Sequence, residues 1–305
     1  FEIEFNMTTR KRIVRSARDA KDATKPATKG QVVTIYRAED TPVMDMLSSI
    51  PSRPSKFRDG EHIHVSDLIN KCVRQIALSK ELDLPMPAQI ITASMGLTFA
   101  QGEAIHDYIK SMMLSKYRKD MYGMWSCKCG ETKTDQPSYY AKVVDSVCES
   151  CGGPLDRYEE LVLEHPRWRV RGSPDIVMRV SSKGVLYPIE IKSIAHDQWK
   201  VLTRAKPEHV IQVVFYWYLL KELGYPVSSV VSVVYATKGF VFSGTPFKEF
   251  VLDAEASLKY IDDYIEDAKA LARYYKTGEL PPRWKCASNS CPDAKKCHVV
   301  MECFQ

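Results

Sequence analysis

Apolar positions along the chain recur at two periods, and the switches between them divide it into elements. After Ser66, the apolar residues Leu68, Ile69, Ile76 and Leu78 recur near helical spacing and predict a helix that contains Cys72. A second helix is predicted over residues 96–118, with Ile105, Ile109 and Met113 on its apolar side. Strand-like segments follow at 161–163, 168–170, 175–180 and 185–191. An amphipathic helix is expected over 208–223, a buried β-branched strand over 229–236 and a last strand over 247–252. Residues 254–276 read as a long helix, with Leu258, Ile261, Ile265, Ala268 and Leu271 near helical spacing, ended by Pro281-Pro282.

Two stretches break this pattern. Residues 8–60 hold only a short apolar segment at 32–36 and read as a basic arm. Residues 124–157 turn polar, with Gly and Cys pairs, which suggests an inserted subdomain. Residues 1–6, ahead of Met7, read as a cloning-derived extension, with Met7 the expected natural start. The chain contains no internal repeat and no low-complexity segment. The expected organisation is therefore an extension and flexible arm at 1–60, then one domain at 61–305 interrupted by the insert.

Composition narrows the class. A chain of 305 residues, 45% hydrophobic and 27% charged, can bury one substantial core. No run approaches the roughly 18 apolar residues that span a bilayer, and no secretory signal is visible, so a cytoplasmic protein with no membrane partner is expected. The net charge of +5 is concentrated near the start. Arg10, Lys11, Arg12, Arg15, Arg18, Lys21, Lys25 and Lys29 face only Asp19 and Asp22 over residues 8–31. Such a block suits a nucleic-acid backbone, and equally a solvated tail.

The candidate chemistry lies on the strands. Gly172-Ser173-Pro174-Asp175 opens one apolar strand, and Glu190-Ile191-Lys192 lies on the next. Side chains alternate along a strand, so Glu190 and Lys192 share a face. Two carboxylates and an ammonium meeting at a sheet edge can hold a divalent metal and orient a water against a phosphodiester. An isolated Glu-x-Lys is more often a half-solvated strand with a salt bridge.

Nine cysteines supply a second chemistry. In a reducing compartment, clustered thiols are more often metal ligands than disulfides. Cys127-x-Cys129-Gly and Cys148-x-x-Cys151-Gly form two knuckles able to enclose Zn²⁺ as a structural ribbon. Tyr139, Tyr140 and Lys142 on it are candidates to stack on or pair with single-stranded nucleic acid.

Together, Pro174-Asp175 and Glu190-Ile191-Lys192 resemble the PD-(D/E)-x-K nuclease superfamily. Gly102-x-x-x-His106 upstream and Gln212-x-x-x-Tyr216 downstream resemble its RecB-like branch, and the cysteines resemble the CRISPR-associated iron–sulfur exonucleases. The resemblance spans about residues 62–300 outside the insert. It implies an α/β, restriction-endonuclease-like fold: a mixed sheet flanked by helices, with a zinc ribbon at 124–157 and an iron–sulfur segment at 284–305. His106, Asp175, Glu190 and the Ile191 carbonyl would bind Mg²⁺ or Mn²⁺. Lys192 would position or deprotonate the attacking water, and Gln212 and Tyr216 would contact nucleic acid or hold Lys192. Cys72, Cys286, Cys291 and Cys297 would ligate a [4Fe–4S] cluster. The tail spacing here is C-x4-C-x5-C followed by Cys303, so Cys303 is the substitute for Cys286, and zinc is the alternative metal.

The function implied is a metal-dependent DNA exonuclease acting on single-stranded or free ends. The expected setting is recombination, end processing or spacer acquisition in a bacterial or phage-infected cell, with recombination or replication proteins as possible partners. A structure-selective endonuclease and a non-catalytic nucleic-acid-binding module are the alternatives. No Walker-type phosphate loop is present to supply a helicase motor.

Overall fold

The alternation over 175–191 becomes the hairpin at one edge of a four-stranded sheet. The computed structural model describes residues 62–84, 92–129, 133–134, 147–148, 150–180, 184–283 and 285–305. The basic block, the 32–36 segment, Gly130, Tyr139, Tyr140 and Lys142 lie outside the described residues. The chain divides into two units; 54–90 and 97–305 form one, and of the other only residues 92–96 are described.

In chain order the elements are β1 (Ile63–His64), α1 (Val65–Asn70), α2 (Val73–Glu81), α3 (Ala93–Tyr117), β2 (Met124–Cys127), β3 (Lys133–Thr134), β4 (Leu155–Glu159), β5 (Leu163–Glu164), β6 (Val170–Gly172), β7 (Ile176–Val180), β8 (Val185–Ile194), α4 (His196–Val201), α5 (Pro207–Glu222), β9 (Val230–Thr237), β10 (Phe247–Asp253), α6 (Asp262–Thr277) and α7 (Val300–Cys303). The described residues form a mixed α/β fold with three sheets, ordered β10-β9-β8-β7, β1-β6-β5 and β3-β2-β4.

In the main sheet β7 and β8 form an antiparallel hairpin, β8 and β9 run parallel, and β10 returns antiparallel. A parallel pair needs a crossover connection, which α4 and α5 supply. Period two sorts the side chains onto two buried faces. Val177, Leu186, Val231, Val233 and Tyr235 pack with Val213, Val214 and Trp217 of α5. Ile176, Met178, Ile189 and Ile191 pack on the other side with Ile109 of α3 and with Trp125 and Leu155 of the cysteine-bearing sheet. Glu190 and Lys192 fall on the α5 face because they share parity with Leu186.

Two expected helices are interrupted. Cys72 lies outside a helix, in extended backbone at the start of α2. The break frees the Lys71 carbonyl to accept from the Lys285 ammonium at 2.9 Å, so tertiary contact overrides the helical period. The expected 254–276 helix begins only at Asp262. Asp253 explains the delay: its carboxylate accepts the Ala256 N–H at 2.7 Å and its carbonyl accepts the Ser257 hydroxyl at 2.6 Å. Such local bonds compete with the helical ladder. The helix ends at Gly278, whose φ of 76° is the left-handed cap that terminates helices, ahead of the expected prolines.

The C-terminal tail is stitched back onto α2. Arg74 donates to the Pro281 carbonyl at 2.7 Å, and His298 meets Gln75 at 3.1 Å and Ser79 at 2.8 Å.

Candidate active site

The β7–β8 register sets the centre. Ile176 pairs with Ile189, so one further step puts Asp175 across from Glu190. Asp175 Oδ2 accepts the Ile191 N–H at 2.7 Å, and its Oδ1 lies 3.2 Å from His106 Nδ1 on α3, close enough to share a proton or one cation. Asp175 opens the edge strand of the main sheet, where a helix from the opposite layer can reach it.

Glu190 is 2% exposed. Its Oε1 lies 2.5 Å from Lys192 Nζ, and its buried Oε2 has no hydrogen-bond partner. Burial first, and then the Asp175 carboxylate, raise the Glu190 pKa; the Lys192 ammonium offsets only part of this. Burial works against the Lys192 charge, but the carboxylates of Glu190 and Asp175 outweigh it and raise the lysine pKa. Lys192 is therefore an ammonium in this state, able to orient and neutralise rather than to take a proton.

An uncompensated buried carboxylate oxygen costs at least about 1–3 kcal/mol. The Asp175 carboxylate is close enough to raise the Glu190 pKa, and the His106 imidazole lies against Asp175 in turn. This donor set fits a hard divalent cation that tolerates one nitrogen ligand.

Helix α5 closes the same face. Gln212 donates to the Tyr216 hydroxyl at 2.8 Å, one helical turn apart. The Tyr216 hydroxyl is held well above its ordinary pKa by burial and then by Glu190, which places it within electrostatic reach of the centre. Gly172, just before Asp175, makes room for that ring: a Cβ there would stand 2.5 Å from Tyr216 Cε1 and 2.9 Å from Val65. Gly102, one turn before His106, faces Ser193 on β8. The seven residues singled out in the sequence, His106, Asp175, Glu190, Ile191, Lys192, Gln212 and Tyr216, thus lie around one sheet end.

The sequence reading missed three neighbours. Lys110, one turn beyond His106, holds Glu160 at 2.7 Å. Helical spacing from His106 is the signal that marks it; nothing in the sequence marks Glu160. His209, one turn before Gln212, accepts the Tyr235 hydroxyl at Nδ1 (2.7 Å), while that hydroxyl accepts the Lys206 N–H. Burial, and then Lys192, push its pKa down to about 4, so the imidazole is neutral.

The two cysteine systems differ in geometry. The thiols of Cys127, Cys129, Cys148 and Cys151 lie within 4.8 Å of one another and can hold a metal ion. Cys127 Sγ lies 3.7 Å from Cys151 Sγ, and Cys129 Sγ lies 3.6 Å from Cys148 Sγ. Cys72, Cys286, Cys297 and Cys303 instead line a cavity of about 370 Å³, with Lys71 and Arg74 among its walls. Cys291 stands beside Cys286, and its thiol is pulled below its ordinary pKa by the Ala294 N–H. Burial, then Cys291 and Cys72, push Cys286 up to about 12. Thiols this crowded do not ionise together unless a cation joins them.

No protein-family model matches the sequence, and no curated protein matches it. Among solved structures, the chain is similar to the protein SSO0001, at 16% identity and a TM-score of 0.34 over 70% of this chain and 79% of that one. It is similar to an alkaline exonuclease from Laribacter hongkongensis, at 10% identity and a TM-score of 0.38 over 72% of this chain and 93% of that one. It is also similar to a provisionally named exonuclease from Eubacterium rectale, at 12% identity and a TM-score of 0.36 over 78% and 88%. At these scores the likeness carries no argument about this chain, whose reading rests on its own residues.

Proposed function

We propose that the chain is a metal-dependent nuclease of the PD-(D/E)-x-K superfamily, in its RecB-like branch, that hydrolyses DNA from single-stranded ends. The observation that carries this reading is the buried, partnerless Oε2 of Glu190, set beside Asp175 and the Lys192 ammonium. A salt-bridged strand would need no such oxygen, since pairing or exposure would satisfy it.

His106, Asp175, Glu190 and the Ile191 carbonyl would hold Mg²⁺ or Mn²⁺. Bound there, such an ion supplies positive charge to the phosphodiester and lowers the pKa of the attacking water. Lys192 would hold that water in line and stabilise the charge that builds on the phosphate oxygens. The Asp175 carboxylate is itself fixed by the Ile191 amide, so it meets substrate without reorganising. Gln212 would contact the nucleic acid, and Tyr216 would brace it.

We assign the Cys127, Cys129, Cys148 and Cys151 quartet to Zn²⁺ in a structural ribbon. Its sulfur separations approach the edge of about 3.8 Å that a tetrahedron with Zn–S bonds of about 2.3 Å requires. The tail thiols suit a [4Fe–4S] cluster, which is larger than one ion and needs a cavity with its ligands around the rim. Cys72 and three of Cys286, Cys291, Cys297 and Cys303 would bind it and tie the start of α2 to the chain end.

The test is cleavage of end-labelled single and double strands and of end-blocked circles, with Mn²⁺, by the wild type and by Glu190→Gln and Lys192→Ala. The expected result is stepwise loss from single-stranded ends, abolished in both variants. Cleavage of circles would replace the exonuclease by the endonuclease reading. Tight binding without any cleavage would leave a binding module.

A further inference from the structure

We propose that the loop joining β9 to β10 is a base-stacking platform that receives the unpaired end of a nucleic-acid strand at the mouth of the carboxylate–lysine centre. The proposal rests on the nuclease reading and names the form of substrate presented to that site.

The loop carries two phenylalanines in water: Phe240 is 82% exposed and Phe242 is 95% exposed. Singly exposed apolar residues are ordinary, but two such rings on one short loop form a surface that water covers poorly.

The loop's position is fixed by its first residue. Lys238 donates its N–H to the Ile194 carbonyl at 2.8 Å, two residues beyond Lys192 on β8. Its carbonyl accepts from the Gln101 side chain at 3.0 Å, and its ammonium donates to the Thr98 carbonyl at 2.8 Å. Gln101 and Thr98 lie on α3, one and two turns before His106. The loop is thus tied to both elements that carry the centre, and its rings project from that junction.

Charge and shape select the occupant. Lys238 opens the loop and Lys248 follows it on β10, and α4 flanks its start, where Gly239 packs against His196. Cations beside exposed aromatic rings suit a single strand, whose phosphates follow the cations while its bases stack on the rings. A duplex offers no free base faces except at its end, because its bases already stack on each other. Phe99, next to the Thr98 anchor on α3, is half-exposed as well.

The test uses the full chain carrying Glu190→Gln, so that DNA is bound but not cut. Binding of a labelled oligothymidylate and of a blunt duplex is measured by fluorescence anisotropy, with oligomeric state followed by sedimentation. Adding Phe240→Ala and Phe242→Ala is expected to weaken single-strand binding about 10- to 100-fold and to leave duplex binding unchanged. Phe→Trp at both positions is expected to retain affinity, and Phe→Leu, apolar but not stacking, to lose it. Unchanged affinity in the alanine protein, or full affinity in the leucine protein, overturns the proposal. A shift in oligomeric state with unchanged DNA binding overturns it too and assigns the face to a second copy. The two readings separate cleanly: a wild type that cuts DNA while the loop variants bind normally refutes only the platform. A wild type that binds through the loop but cuts nothing refutes only the nuclease.

Discussion

The cysteine quartet can hold a cation and the carboxylate centre is proposed to, yet the two are built in opposite ways. The quartet comes from one stretch of chain, Cys127 to Cys151, and its thiols close to 3.6–3.7 Å in pairs. The centre draws His106, Asp175, Glu190 and Lys192 from separate elements, and a packed sheet holds one carboxylate oxygen dry and unpaired. A cation at the quartet would tie together the Cys pair at the end of β2 and the Cys pair ahead of β4. At the centre, a cation would relieve a strain that the core has already imposed. The first geometry suits permanent scaffolding, and the second suits an exchangeable ion that does chemistry.

Stripping metal from the two regions should therefore break them differently. Removing the quartet's ion with a strong chelator, or by Cys148→Ser, should cost the β2–β4 sheet on the order of 10 kcal/mol of stabilisation. Limited proteolysis should then cut within residues 124–159 while the main sheet stays protected. Retention of a protected insert without metal would erase the contrast.

Next in size is Glu190→Gln. Loss of the ligand should lower cleavage by about 10³-fold, or roughly 4 kcal/mol, while the metal-free melting temperature holds or rises because a buried charge is gone. A fall in melting temperature would make Glu190 a structural ion-pair residue.

A third variant addresses packing alone. Gly172→Ala forces a methyl into Tyr216 and should cost about 1–3 kcal/mol by denaturant titration. Because the backbone here enters Asp175, cleavage should fall together with stability. Full activity would separate Tyr216 from the centre.

The smallest effect is a pH dependence. The folded Glu190 pKa is raised, so its contribution to metal-free stability is complete below the ordinary carboxyl range and is lost as pH rises through the raised value. A cation takes the ionised form, so stabilisation by added Mg²⁺ should grow over the same window, by up to about 1.4 kcal/mol per pH unit. Melting temperatures with and without Mg²⁺ across that range check the sign, and Glu190→Gln should flatten both curves.

Much of the centre is legible in the sequence, because its parts obey local rules. Alternation puts Glu190 and Lys192 on one face, and a four-residue step puts Gln212 beside Tyr216. Helical spacing alone also marks Lys110 and His209 as neighbours of the site. Glu160 carries no such mark, since its approach to Lys110 depends on how the insert returns to the core. Cys72 was misread as helical for a related reason: apolar spacing continues through it, and the acceptor that breaks the helix belongs to Lys71, whose partner Lys285 is far along the chain.

The sequence by itself determined the donor types, their order, the parity of the strands and the two cysteine pairs that close on each other. Those depend on covalent spacing and on the periods of helix and strand. Only the tertiary structure decided that Glu190 Oε2 is buried without a partner, that the tail thiols surround a cavity, and that the Phe240 loop is anchored beside α3. Burial and approach between distant segments arise from packing the whole chain, and no local period encodes them.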